Sequence, residues 1–463
     1  MSLLDSALWE GKIYLNGWRP GNGGTGDAVE PATGEILGRY GVASVEDVRE
    51  AAAVAAKVQK EWAARNPEDR AAVLARAGQL WEEHAAEIQD WIVRESGGIP
   101  PKAGLETHIA ANECYDASAL PSLPAGDVLT SNENRWSFAR RRPVGVVSVI
   151  APFNFPLILS IRAVAPALAL GNAVLLKPDP RTAVCGGVTL VRVFEEAGLP
   201  PGLLSLLPGG ADIGSAVVKA PEVRVIAFTG STAAGRKVGE AAGRLLKRAH
   251  LELGGNNAMI VLPGVDLPKA VSAAAFGSFM HQGQICMASG RHIVHQDIYE
   301  DYVAALAEKA GHLPVGDPKS GIVALGPVID ERQLQRVEAI VRDAVAAGAF
   351  EAEQAFQDNA LAVEPALVAG PGQHRIFARH LIGESRYGEG LLHFRHDVEI
   401  GHARFDHDHV CAFSNVEADF AQRFVGICCV HLVGALVPFE GRGRADGVAE
   451  GAIKGGSVFR RIG

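Results

Sequence analysis

The sequence has few cysteines, and their positions match no common structural pattern. Six cysteines in 463 residues, at positions 114, 185, 286, 411, 428 and 429, fit neither a secreted disulfide framework nor the ligand spacing of a zinc site. We therefore expect reduced thiols, a cytoplasmic location and no bound metal. Residues 1–5 also lack the positive charge and the long apolar run of a signal peptide.

Long apolar segments and charge runs are missing as well. The most apolar stretch, 144–170, is interrupted by three prolines, an asparagine and an arginine, which argues against a membrane span. The net charge of −9 is spread along the chain, so we expect neither nucleic acid nor an anionic membrane as a partner. A chain of 463 residues with 48% hydrophobic residues is typical of a soluble globular protein with two or three domains.

Short apolar runs alternate with helical segments from residue 144 onwards. Strands are predicted at 144–150, 173–177, 203–207 and 223–228, and helices at 157–170, 182–197, from 212, and at 232–246. Such an alternation predicts right-handed βαβ units in a doubly wound parallel sheet, an α/β fold that binds ligands at the carboxyl ends of its strands. Before it, the pattern predicts strands at 12–17 and within 27–39, and surface helices at 45–64, with Ser44 as N-cap, and 67–93.

Three loops after predicted strands carry polar or small residues. Asn154 lies between two prolines, where its amide can donate to an oxyanion or simply complete a turn. Lys177 ends the second strand, where it can meet a ribose or phosphate oxygen or lie on the surface. The segment 229–235, Thr-Gly-Ser-Thr-Ala-Ala-Gly, opens a helix whose N–H groups can face a phosphate, although a tight strand-to-helix turn would look the same.

A carboxylate and a thiol complete the candidates. Glu252 lies between two leucines, and apolar surroundings would favour its protonated form and make it a useful base. The alternative is an ion pair with Lys247 or Arg248. Cys286 lies among small and polar residues in 281–291, as a candidate nucleophile; the alternative is a buried structural thiol.

Taken together, these motifs resemble the NAD(P)-dependent aldehyde dehydrogenase superfamily. The resemblance rests on Pro-Phe-Asn-Phe-Pro around Asn154, Lys177-Pro, Phe-Thr-Gly-Ser-Thr at 228–232, Glu252-Leu-Gly-Gly and Gly-Gln-Ile-Cys at 283–286, in this order, and covers about residues 10 to 350. The segments 177–182 and 281–287 look most like the bacterial benzaldehyde and vanillin dehydrogenase branch. The resemblance implies a small-molecule aldehyde as substrate, a cofactor-binding domain beside an α/β catalytic domain, and a homodimer or homotetramer.

The resemblance also implies roles for single residues. Cys286 would add to the aldehyde to give a thiohemiacetal and then a thioester, with Asn154 and the Cys286 backbone N–H at the oxyanion and Glu252 activating water. Contacts to the cofactor would come from the following residues: Lys177, Gly210, Gly230, Ser231, Gly235 and Leu253. Many NAD-using members have a glutamate where this chain has Pro180, so a 2′-phosphate is not repelled and the cofactor is NAD or NADP.

The family pattern is lost after about residue 350. The Glu-Ile-Phe-Gly-Pro segment that should follow is absent, and eight of the 15 histidines fall after this point. Translation from a wrong reading frame, or a rearranged gene, explains both features. A metal site at His402, His407 and His409 with two aspartates is the alternative, but no regular spacing organises these ligands.

We therefore predict three regions. Residues 1–252 form the cofactor-binding domain, with 115–142 as its oligomerisation segment, 253–350 form the catalytic domain that carries the nucleophile, and 351–463 form an atypical tail. Two function classes follow: an active enzyme that oxidises an aromatic, benzaldehyde-like aldehyde, or an inactive relative that lacks the C-terminal cofactor and dimer elements. An esterase that uses the same thiol is a third.

Overall fold

The computed structural model describes residues 2–131, 134–346, 350–351 and 383–384, all within one compact unit, Met1–Glu399. The helices are α1 Ser6–Trp9, α2 Val45–Ala64, α3 Pro67–Glu83, α4 Ala85–Ser96, α5 Pro100–Ala119, α6 Pro156–Ala169, α7 Thr189–Glu196, α8 Ala211–Lys219, α9 Thr232–Arg244, α10 Leu267–Phe279, α11 Tyr299–Gly311 and α12 Glu331–Ala346. The strands are β1 Lys12–Tyr14, β2 Trp18–Pro20, β3 Thr25–Val29, β4 Ile36–Gly41, β5 Gly126–Leu129, β6 Ser137–Arg140, β7 Val146–Ile150, β8 Ala173–Lys177, β9 Leu204–Leu206, β10 Val223–Gly230, β11 Arg248–Leu253, β12 Ala258–Val261, β13 Arg291–Val294, β14 Phe350–Glu351 and β15 Gly383–Glu384.

A seven-stranded sheet organises the first part of the molecule. Its order is β11-β10-β7-β8-β9-β1-β2, and the five strands from β11 to β9 are parallel. The central strands β7 and β8 are buried along their whole length, as their apolar runs predict. The predicted α/β fold with a parallel sheet is confirmed. The sequence did not reveal that β1 extends this sheet, antiparallel to β9.

Local signals account for several of the helix starts. Ser44 caps α2 in a capping box with Asp47, as predicted for the N-cap. The single helix predicted for 67–93 is wrong: His84, at φ −106° and ψ 15°, separates α3 from α4. These helices also contribute to the core, since Trp62 and Trp81 are almost completely buried.

The predicted helix at 182–197 differs from the structure in its first turns. Residues Val184–Val188 form a π-helical turn, and α7 begins only at Thr189. The buried Glu95 carboxylate accepts hydrogen bonds from the backbone N–H groups of Val184 and Cys185, at 3.0 and 2.7 Å. A side chain from another helix therefore takes the donors that open this segment, which the local sequence could not show.

Two hydrophobic clusters lie within the described part of the chain. The larger one packs the helices of the first 250 residues against the seven-stranded sheet, and the smaller one joins α10 and α11 around Phe279, Tyr302 and Leu306. The predicted domain boundary at 252–253 stays a prediction, and the predictions for 351–463 fall almost wholly outside the described residues. Within the described ranges, no helix is both long enough and apolar enough to cross a membrane.

Candidate active site

Four parallel strands carry predicted site residues at or just beyond their carboxyl ends, at one edge of the sheet. Ile150 at the end of β7 pairs with Lys177 at the end of β8 and with Phe228 in β10. In turn, β10 pairs with β11, so that Gly230 lies opposite Leu253. The ends of these strands, next to Asn154, Lys177, Ser231 and Glu252, therefore lie at the same edge of the sheet.

Cys286 lies on an irregular turn after α10. His281 and Gln282 adopt left-handed backbone angles, with φ of 46° and 58°, which non-glycine residues rarely do. Such backbone strain persists only where the surrounding structure holds it in place, and it is often found at functional sites. Cys286 itself is exposed, whereas Cys114 and Cys185 are buried. The alternative of a buried structural thiol is therefore wrong for Cys286.

Asn154 contacts this turn directly. Its amide Nδ2 donates to the carbonyl oxygen of Gln284, two residues before Cys286, at 2.8 Å. The contact joins segments far apart in the chain, so Asn154 does more than complete its own turn. A carboxamide carries two N–H hydrogens, so the same NH2 group can hold the turn and still donate to a second acceptor.

Glu252 lies in surroundings that the sequence did not predict. It is half exposed, and its Oε1 lies 3.0 Å from Nε2 of His250. The predicted apolar environment is wrong, because β11 is the edge strand of the sheet and its outer side chains remain open. Lys247, the predicted alternative partner, donates instead to the carbonyls of Val218 and Ala220.

The loop after Glu252 approaches the cysteine turn. A Cβ placed on Gly255 would lie 3.5 Å from the Cys286 carbonyl oxygen. The backbone N–H of Asn257 also donates to the carbonyl of Ala288, at 3.2 Å. The segment that carries Glu252 and the segment that carries Cys286 are thus packed side by side.

A groove of about 480 Å³ lies between α9 and β11. Its lining includes Thr232, Gly235, Leu251 and Leu253. Gly235 allows the helix to approach the strand, because a Cβ there would lie 2.3 Å from Cδ2 of Leu253. The first turn of α9 is exposed at this groove, so backbone N–H groups at its start can donate hydrogen bonds to an anionic ligand.

The other predicted cofactor residues surround the same edge. Ser231 is the N-cap of α9, where its hydroxyl accepts from the N–H of Ala234 at 3.3 Å. Gly230 ends β10, and Gly210 directly precedes α8. Lys177 is only 8% exposed, so the surface-lysine alternative is wrong. Burial lowers the pKa of Lys177.

Arg181 is a structural residue of this edge whose role the sequence did not reveal. Its guanidinium makes a bidentate contact to Asp179, at 2.8 and 2.9 Å, and a further contact to Asp330 at 3.1 Å. It also lies 4.2 Å from the ring centroid of Phe153, beside Asn154. One side chain thus links the Lys177 loop, the Asn154 loop and a segment 149 residues away.

Lys102 and Glu106 of α5, and Glu95 of α4, are further buried charges that the sequence analysis did not single out. All three are at most 3% exposed. The spacing of Lys102 and Glu106 is compatible with an ion pair on one helix face, but nothing in the local pattern distinguishes them from a solvated pair. Among the described residues, no group of three or more His, Cys, Asp or Glu side chains could hold a metal ion.

Comparison with known proteins identifies the family and several relatives of the chain. The model of the "Aldehyde dehydrogenase family" matches residues 18–382. The chain is 62% identical to "Vanillin dehydrogenase" from Amycolatopsis sp., over 75% of this chain and 72% of that protein. It is 50% identical to "Benzaldehyde dehydrogenase [NAD(+)]" from Pseudomonas putida, over 74% and 71%. The crystal structure of an NAD-dependent benzaldehyde dehydrogenase from Corynebacterium glutamicum superposes with a TM-score of 0.71 at 37% identity, over 83% of this chain and 80% of that one.

Proposed function

The chain belongs to the aldehyde dehydrogenase family, and we propose that it oxidises an aromatic aldehyde to the carboxylic acid through a covalent intermediate on Cys286. The observation that carries this proposal is the hydrogen bond from Asn154 to the turn of the exposed Cys286, because it fixes an amide donor to the carbonyl two residues before the thiol-bearing residue. The similarity to proteins named for vanillin and benzaldehyde supports an aromatic substrate.

The protein side chains divide the chemistry between them. The Cys286 thiolate attacks the carbonyl carbon, and the resulting oxyanion accepts hydrogen bonds from Asn154 and the backbone N–H of Cys286. When bound, NAD or NADP would supply the hydride acceptor for the oxidation of this thiohemiacetal to a thioester. Glu252 then takes a proton from water as the water oxygen attacks the thioester carbon. The carbon–sulfur bond breaks, Cys286 leaves as the thiolate, and the carboxylic acid is released.

The residues at the sheet edge fit a dinucleotide. The exposed first turn of α9, with Gly230 and Ser231 before it, suits the pyrophosphate. Lys177 suits the adenine ribose, Leu253 the nicotinamide end and Gly210 the adenine side. Pro180 offers no carboxylate against a 2′-phosphate, so we propose that NADP is accepted as well as NAD.

The exposed hairpin of β5 and β6 supports a homodimer or homotetramer. It lies within the predicted oligomerisation segment 115–142, and its Trp136 and Phe138 are 80% and 67% exposed and stacked on each other. Neighbouring Val128 is 63% exposed. Exposed aromatic residues on a paired strand are typical of surfaces that bury themselves against another copy.

An aldehyde oxidation assay tests the proposed function. Purified protein is mixed with benzaldehyde or vanillin and with NAD or NADP, and NAD(P)H absorbance is followed. We expect turnover for the wild type and none for Cys286→Ala. Cys114→Ala is the matched control, since this thiol is buried and burial raises its pKa to about 12. Turnover by Cys286→Ala, or inactivity of the folded wild type with both aldehydes, would contradict the proposal.

A further inference from the structure

Lys102 and Glu106 form a buried ion pair behind the candidate active site. Nζ of Lys102 lies 2.6 Å from Oε1 of Glu106, and the two side chains are 3% and 0% exposed. Nζ also donates to the hydroxyl of Ser96 at 3.1 Å. Removing two charges from water is unfavourable, and packed apolar residues can often replace such a pair without loss of stability. A pair in this position therefore calls for an explanation beyond stability.

Glu106 holds the helix that follows Asn154. Its second oxygen, Oε2, accepts from the backbone N–H groups of Leu157 and Ile158, at 3.0 and 3.3 Å. These N–H groups belong to the first turn of α6 and have no partner within that helix. A carboxylate at this end also complements the helix dipole. The start of α6, and with it the end of the Asn154 loop, is therefore fixed to α5.

Lys102 contacts the other side of the same loop. Its ammonium lies 4.9 Å from the ring centroid of Phe155, the residue after Asn154. The edge of Phe155 in turn packs on the His281 ring, with centroids 5.5 Å apart. A line of contacts thus runs from Lys102 through Phe155 to the residue that begins the left-handed turn.

The turn itself depends on such support. His281 is 5% exposed, and burial, followed by the nearby Lys102 charge, lowers its pKa well below the ordinary value, so the ring stays neutral beside the ammonium. The Gln282 side chain donates to the carbonyl of Gly97, just ahead of α5, at 3.2 Å. Both left-handed residues are therefore held by the region that contains Lys102 and Glu106.

We propose that the Lys102–Glu106 pair is a positioning unit that fixes Phe155 and the start of α6, and through Phe155 and His281 holds the turn that presents Cys286 beside Asn154. Its effect on catalysis rests on the proposed function, whereas its effect on the turn does not. Lys102 and Glu106 touch neither substrate nor cofactor in this scheme. They act through Asn154 and the turn of Cys286.

Kinetics test the catalytic part. We expect Lys102→Met to lower kcat for the aldehyde by about a hundredfold, the scale of a misplaced reacting group, with KM changed by less than about threefold. Glu106→Gln, which keeps the side-chain shape, should have an effect in the same direction. Thr107→Val is the matched control, because Thr107 is equally buried on α5 but its hydroxyl donates within its own helix.

A double-mutant cycle separates positioning from general structural damage. If Lys102 acts through Asn154, the combined Lys102→Met and Asn154→Ala variant should lose about tenfold less activity than the product of the single losses. Fully multiplicative losses, or a raised KM with unchanged kcat, would overturn the proposal.

Hydrogen exchange tests the turn without any aldehyde. We expect faster amide exchange in the peptide that covers residues 280–290 for Lys102→Met and Glu106→Gln, and unchanged exchange there for Thr107→Val. If exchange is faster in the two variants but the wild-type protein does not oxidise aldehydes, the proposed function is refuted and this inference stands. Unchanged exchange in both variants would refute the inference whatever the activity.

Discussion

Glu95 makes the stability of the fold depend on pH. Its carboxylate is completely buried between α4 and the π-helical turn, where it accepts from the N–H groups of Val184 and Cys185. Burial raises its pKa from 4.5 to about 7, although the two donors act in the opposite direction. The native protein therefore keeps a proton on Glu95 at pH values where the unfolded chain has released it.

The sign and size of the effect follow from proton linkage. Below pH 4.5 the carboxyl is protonated in both states, and above about 7 it is ionised in both, so the change is confined to this window. Within it the native state binds more protons, so the free energy of unfolding falls as the pH rises. A shift of this size corresponds to about 3 kcal/mol in total.

Replacing the ionisable group isolates this contribution. Glu95→Gln keeps the side-chain shape but cannot titrate. Its NH2 group faces one of the two backbone N–H donors, which lowers the free energy of unfolding by an amount that does not vary with pH. We expect wild-type stability, relative to Glu95→Gln, to fall by about 2–3 kcal/mol between about pH 5 and about pH 8. Urea unfolding followed by tryptophan fluorescence measures it, since Trp62 and Trp81 are buried in the same cluster. A difference that is constant with pH, or one that rises, would refute the reasoning.

Three further predictions concern the sheet edge. Glu252→Gln should lower steady-state turnover by about a hundredfold or more, because thioester hydrolysis needs the base. The variant should still give a first-turnover burst of NAD(P)H in stopped-flow measurements, and loss of this burst would contradict a role confined to hydrolysis. Gly235→Ala should push Leu253 into the groove. Cofactor binding, measured by fluorescence titration, should weaken by about tenfold with little change in kcat. Unchanged binding would place the cofactor elsewhere. Arg181→Met should reduce the free energy of urea unfolding by about 1–2 kcal/mol, because Asp179 loses its bidentate guanidinium partner and Asp330 is left with the exposed Arg332. Arg181→Lys should recover only part of this loss, since one ammonium cannot replace the guanidinium fork.

The fold could be predicted where the sequence pattern itself reports burial. The run 173–177 is apolar on both faces because β8 is covered on both sides, and its bounds agree with the structure residue for residue. At β11 the same reasoning was wrong for Glu252. Leucines flank it in sequence, but alternate residues of an edge strand point to opposite faces, and that face is open. Apolar neighbours along the chain do not establish apolar surroundings in space.

The sequence indicated candidate site residues in the loops but not the buried residues that support those loops. Cys286 and Asn154 were singled out because each lies in a loop of unusual composition and within a motif of the family, and their catalytic roles stay a proposal. Lys102 and Glu106 were not, because charged residues four apart on a helix are most often a solvated pair, and α5 carries no local sign that this face is buried. Their importance lies in tertiary contacts, to Phe155 and to the first turn of α6, which no sequence spacing encodes.

Polar links, together with the packing of Phe155 on His281, join the two halves of the candidate active site. Asn154 extends from a strand of the larger hydrophobic cluster, whereas the turn of Cys286 follows α10, which belongs to the smaller one. The described polar contacts between them include Asn154 to the carbonyl of Gln284 and Gln282 to the carbonyl of Gly97. Each such hydrogen bond adds little net stability, but its direction is specific. The alignment of thiol and amide can therefore be lost while both clusters stay folded, which is why kinetic variants of this edge are more informative than unfolding measurements alone.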